Sequence, residues 1–223
     1  MKKSDQKKQR AALQKRARAK GRRAAAVLYP SSPTEFYIRH AREYPLVECL
    51  INSRWDEGGL TSITLARRQP NSNIVFGNYL VDYYCLGLKN TMCNADFTVT
   101  EYQTTIRNKA YQAFPDPRPV ECPPDLAHEI IYGAIEYAAR FGFKPQRDFR
   151  WSQYILEPAD HFARVHNVQF GKDGKPFFIN GPYDNAEAIV RQLERTAGPG
   201  NYDYLTMIGP PDAETFMPDD DEP

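Results

Sequence analysis

IVFGNYLVDYYCL, residues 74–86, is the stretch that decides the fold. Its β-branched and aromatic side chains fall on both alternating faces. A strand with one wet face alternates apolar with polar, whereas one covered on both faces reads as a continuous apolar run. Residues 74–86 are therefore expected to form a central strand. Upstream, residues 61–67 alternate with Ile63 and Leu65 inward, and Gln69-Pro70-Asn71-Ser72-Asn73 is a turn cluster joining the two strands. Before them, Ser32 and Pro33 start a short helix over 33–42, and Pro45 opens a second one through Ile51.

Downstream, Thr98-x-x-Glu101 has capping-box spacing before a helix expected to run to Phe114. Pro115, Pro117, Pro119, Pro123 and Pro124 then make an extended linker. The clearest helix is 125–141: Leu126, Ile130, Gly133, Ala134, Tyr137 and Phe141 lie on one face, and Ala127, Ile131, Ile135 and Ala138 widen it. Gly142 and Pro145 stop it. Residues 168–170 and 177–179 flank Lys172-Asp173-Gly174-Lys175, which predicts a hairpin through Asp-Gly. Asp184-x-x-Glu187 caps a last helix with Ala186, Ile189, Val190 and Leu193 inward, ended by Gly198-Pro199-Gly200. There is no internal repeat and no βαβ spacing. The class is α+β, a single domain with a mixed or antiparallel sheet covered by helices. It spans 31–205, between a basic arm (1–30, disordered or conditionally helical) and an acidic tail (206–223).

The charge is segregated. The 223-residue chain is formally +1, but residues 1–23 hold eleven Lys/Arg against Asp5 alone, a net +10, and residues 212–223 carry six acids and no base. Residues 24–211 are left at −3. A 41% apolar content suffices for a core and argues against disorder throughout, while a mean hydropathy of −0.64 implies a strongly polar surface. The apolar runs are too short to span a bilayer, and the N-terminus lacks the apolar segment of a secretory signal. A mitochondrial presequence is the open alternative for the arm. Cys49, Cys85, Cys93 and Cys122 form no CxxC and read as small hydrophobes in a reducing, cytoplasmic setting.

Three stretches, GNYLVDYYCLGLKNT (77–91), AHEIIYGAIEYAARFGFKP (127–145) and FGKDGKPFFINGPYDN (170–185), resemble a group of bacterial proteins of unknown function. The resemblance covers about residues 45–205; it implies a bacterial, cytosolic setting and carries no site residue with it.

The arm is the strongest functional signal. Lys7, Lys8, Arg10, Lys15, Arg16, Arg18, Lys20, Arg22 and Arg23 would neutralise phosphates and release counterions, giving salt-dependent binding of RNA or DNA, with the ribosome as one setting. The competing reading is an arm solvated for solubility, or one that neutralises the acidic tail, and an anionic membrane or protein is a third. In the domain, Asp82 interrupts an apolar strand and needs a partner or a raised pKa, unless the strand ends at Val81 and Asp82 caps the next turn. Asn78 shares its face and Lys89 lies beyond. The polar third of helix 125–141 carries His128, Glu129 and Glu136; the two glutamates stand about 20° apart around the axis and about 10 Å along it. These residues could gather with Asp82 and Lys89 as the pocket of a small hydrolytic enzyme. Otherwise they are a solvent face, with Glu136 and Arg140 an i,i+4 pair. Asp160, His161 and His166 are potential metal ligands without HExxH spacing, and no metal or cofactor is expected. No catalytic motif is present, and the expectation is a nucleic-acid-associated protein, a hydrolytic enzyme or a protein-interaction module.

Overall fold

The computed structural model describes residues 33–205. The arm residues, from Lys7 to Arg23, and the acidic tail lie outside the described residues. Five strands form one antiparallel sheet in the order β4-β3-β2-β1-β5. They are β1 (Leu46–Asn52), β2 (Leu60–Arg68), β3 (Ile74–Asp82), β4 (Gly87–Phe97) and β5 (Pro119–Glu121). The stretch read first is interior, as expected: β3 lies between β2 and β4, with Ile63 opposite Tyr79 and Leu65 opposite Gly77. Gly77 is required because a Cβ there would sit 2.3 Å from the Tyr79 hydroxyl. The fully buried Tyr79 instead donates that hydroxyl to Ser152 O at 2.8 Å.

Helix α1 (Pro33–Arg39) precedes β1. Helix α2 (Pro124–Ala139) covers one face of the sheet, placing Ile130, Ile131 and Ala134 in the same buried cluster as Ile63, Leu65, Tyr79 and Val81. Each large apolar side chain so buried contributes about 1.5–3 kcal/mol. Helix α3 (Phe149–Ser152) and α4 (Ala186–Thr196) follow. Helix α4 buries Leu193 in a small satellite cluster with Cys85 and Phe178. There β6 (Phe177–Ile179) and β7 (Asp203–Leu205) pair in parallel. Cys49, Cys85 and Cys122 are buried and Cys93 is half-buried, all as free thiols.

Several expectations need correction. Residues 45–51 are not a helix. They form β1, because the run LVECLIN buries its last four residues and finds hydrogen-bonding partners on both sides, β2 and β5. The central strand does not reach residue 86. It stops at Asp82, and the chain turns back into β4, whose polar Lys89, Asn90 and Asn94 hid an edge strand. The capping box at Thr98 is formed, but the helix after it breaks into short turns over 99–111. There Thr104 bonds back to Thr100 O at 2.8 Å and competes with the helix ladder, while Tyr102 and Tyr111 turn into the core. The Asp173-Gly174 turn exists, with φ of 51° and 78°, yet no hairpin grows from it. Gly171 N–H donates to Tyr83 O and Phe177 leaves to pair with β7. The cap of α4 is Asn185, which accepts from Ala188 N–H, and not Asp184.

Candidate functional site

The five residues singled out by chemistry do not share a pocket. Asp82 ends β3, only 7% exposed, and its Oδ1 accepts the N–H groups of Tyr84 (3.1 Å) and Cys85 (2.9 Å). It is the turn cap. Burial outweighs those bonds and the nearby Lys89 charge, so its carboxyl is pushed up to about 6.

His128 and Glu129 are not on a solvent face. The loop after α3 covers that third of α2 and leaves them 4% and 5% exposed. His128 Nε2 accepts Glu157 N–H at 3.1 Å, while its Nδ1 is buried without a partner among the described residues. Burial pulls the imidazole down to about 4, against the pull of Glu157. Glu129 accepts His166 N–H (2.8 Å) and Val168 N–H (2.9 Å) and so pins the loop to the helix. Burial acts to raise its carboxyl, but the two loop N–H groups together hold it below the usual range. Glu136 is exposed and pairs with Arg164 rather than Arg140. These three are structural by their contacts: they fasten residues 157–168 onto α2. His166 pairs with Asp125 at 2.9 Å, and no group of three or more potential metal ligands occurs among the described residues.

Lys89 has a different setting. A bulge opposite Leu80 and Val81 pushes it out of the β4 ladder, and it meets Asp184 at 2.5 Å. Asp184 Oδ2 also accepts Gly181 N–H at 2.8 Å, so the pair ties the 181–184 loop to β4. This tie forms one wall of a groove of about 1060 Å³ on the sheet face opposite α2. The alternation of β2 and β3 builds it: Ile63, Tyr79 and Val81 point to α2, so Ser62, Asn78 and Leu80 point the other way. The 99–111 segment covers the rest of that face, where Tyr111 donates to Thr64 Oγ1 at 2.9 Å. It stops short of Ser62 and Leu80, and Phe114 and Pro115 make the second wall.

The groove floor is polar and uncharged. Asn78 Nδ2 donates to Ser62 Oγ (3.1 Å) and Thr64 Oγ1 (2.9 Å), leaving its Oδ1 without a partner among the described residues. Asn52 Oδ1 accepts from Thr61 and Ser62, and Asn90 Oδ1 accepts from Thr91 N–H. Their Nδ2 groups are likewise unpartnered among the described residues. The charges around the groove are neutralised in place: Arg54 with Glu57, Lys89 with Asp184, and Asp116 with Arg118. Tyr183 stands on the rim, 98% exposed.

The chain matches no family model, no curated protein and no solved structure. An acceptor and several amide donors, set between an apolar wall at Phe114 and Pro115 and a neutralised Lys89–Asp184 pair, suit an uncharged ligand with its own donors and acceptors. Of the residues picked from the sequence, Lys89 and Asn78 line the groove, whereas Asp82, His128, Glu129 and Glu136 do not. Asn52, Ser62, Asn90 and Tyr183 were missed. The legible signal was polar side chains at alternate positions of otherwise apolar strands.

Proposed function

We propose that the protein is a nucleic-acid-associated binding protein anchored by residues 1–23, in a cytoplasmic setting for which the ribosome is one candidate. The observation that carries this reading is the charge distribution. Residues 1–23 are +10 while residues 24–211 are −3. Eight of the eighteen Lys/Arg side chains among the described residues are already in ion pairs with carboxylates. The domain therefore has little attraction for phosphate, and the arm has much. The acidic tail, able to compete for the same cations, tunes the affinity. Among the described residues no helix is long and apolar enough to cross a membrane.

Purification with and without nuclease tests this. Nucleic acid should accompany the full chain and be lost on nuclease treatment or on removal of residues 1–23. Co-purification that survives removal of the arm would refute the anchor. The groove favours a second reading, a module that binds a protein partner through an extended segment, since its Phe114–Pro115 wall is apolar and its floor can pair with peptide groups.

A further inference from the structure

We propose that the groove between β2, β3 and the 181–184 loop receives an unpaired base of single-stranded nucleic acid whose phosphates are held by the arm. This rests on the nucleic-acid reading above and adds to it a recognition site inside the folded domain. A base is uncharged and planar, with donors and acceptors on its edge, and it binds single-strand proteins by stacking on aromatic side chains. The groove offers that combination. Asn78 Oδ1 presents an acceptor and the Nδ2 groups of Asn52 and Asn90 present donors. Tyr183 on the rim is a stacking surface, 98% exposed, and Phe114 backs the opposite wall. The neutralised rim charges give a phosphate no reason to enter.

The phosphates have somewhere to go. Gln146 lines the groove, held there by its N–H bond to Leu88 O at 3.0 Å, and its neighbours Lys144 and Arg147 are exposed. Neither makes an ion pair among the described residues; Asp148 is the one acid beside them, and it accepts from Gln146.

The test uses the full chain and three fluorescent 15-nucleotide probes: single-stranded RNA, single-stranded DNA and a duplex of the same sequence. Tyr183→Ala, at a fully exposed position, should weaken single-strand binding about 5- to 150-fold, the range for loss of one stacked base, and leave duplex binding unchanged. Asn90→Ala, also exposed, should weaken the same probes without touching the duplex. A single-stranded probe carrying 4-thiouridine should crosslink to groove residues as well as to the arm. Comparison of the RNA and DNA probes assigns the sugar. The inference is overturned if both substitutions leave single-strand binding unchanged, or if crosslinks fall only on residues 1–23. Either result, with binding still lost on deleting the arm, keeps the electrostatic anchor and gives the groove to another occupant such as an extended peptide. Loss of nothing on deleting the arm would instead sink the reading on which this one rests.

Discussion

Gly133 sits in the middle of α2, where helix propensity and side-chain packing pull in opposite directions. Glycine inside a helix costs about 1 kcal/mol relative to alanine, so propensity alone predicts that Gly133→Ala stabilises the protein. Packing predicts the reverse. A Cβ built on Gly133 would stand 2.2 Å from Phe170 Cζ and 2.6 Å from Cε2, so the ring would have to retreat more than an ångström to reach an ordinary contact of 3.4 Å. Phe170 is not free to do so. It stacks on Tyr137 with centroids 6.2 Å apart, and the following Gly171 N–H is bonded to Tyr83 O at 3.0 Å. Overpacking of this kind costs about 1–3 kcal/mol, which outweighs the propensity gain. We expect a net loss of up to about 2 kcal/mol, read as a Tm lowered by up to about 8 °C for a chain of this size. In a Phe170→Ala background the obstacle is gone, and Gly133→Ala should become neutral or stabilising by up to about 1 kcal/mol. Thermal or urea unfolding of the four proteins measures the cycle. A Gly133→Ala protein more stable than the parent would show that Phe170 does not press on α2 and that the 157–170 loop is looser than described.

Two further outcomes follow from the same packing. Ile130 is fully buried between α2 and the sheet, so Ile130→Ala should cost about 2–5 kcal/mol by urea unfolding, while an unchanged midpoint would place α2 outside the core. Asp82, with a folded pKa of about 6 against a usual 3.8, binds its proton more tightly in the folded state. It therefore contributes stability that is present below about pH 4 and lost as the pH rises through 6. Asp82→Asn keeps the acceptor for Tyr84 and Cys85 and should flatten that part of the stability profile between pH 4 and 6; an unaltered profile would mean the carboxylate is well solvated.

The fold was legible where local pattern and tertiary environment agree. β2, β3, α2, the Thr98 capping box and the inward face of α4 follow from periodicity and caps. β1 was misread because six apolar-rich residues after a proline satisfy a helix as well as a strand; only the partners on either side decide. β4 was invisible because its bulge and Asn90 serve the groove and Asn94 accepts the N–H groups of Ala95 and Asp96, so no clean alternation marks the strand. The hairpin failed for a related reason: Asp173-Gly174 specifies a turn, but Phe177 gains more by pairing with β7, which lies 26 residues away in sequence. The candidate site was the least legible part. His128 and Glu129 have the composition of a catalytic pair, yet their hydrogen bonds to the backbone of Glu157, His166 and Val168 make them fasteners for a loop whose path no local pattern encodes. Tyr183 and Asn90 carry no motif at all and acquire meaning only once the groove exists.

Residues 1–23, and not the net-negative domain, supply the electrostatic attraction that anchors nucleic acid. A salt titration of binding to one RNA and one DNA probe, for the full chain, for residues 24–223 and for residues 1–211, tests it most directly. The full chain should lose affinity steeply with salt, as several counterions are released, and removing the acidic tail should strengthen binding at low salt. Removing the arm should abolish binding, because what remains up to residue 211 is −3 and the tail adds −6. An armless chain that binds as tightly as the whole, with the same salt slope, would contradict it.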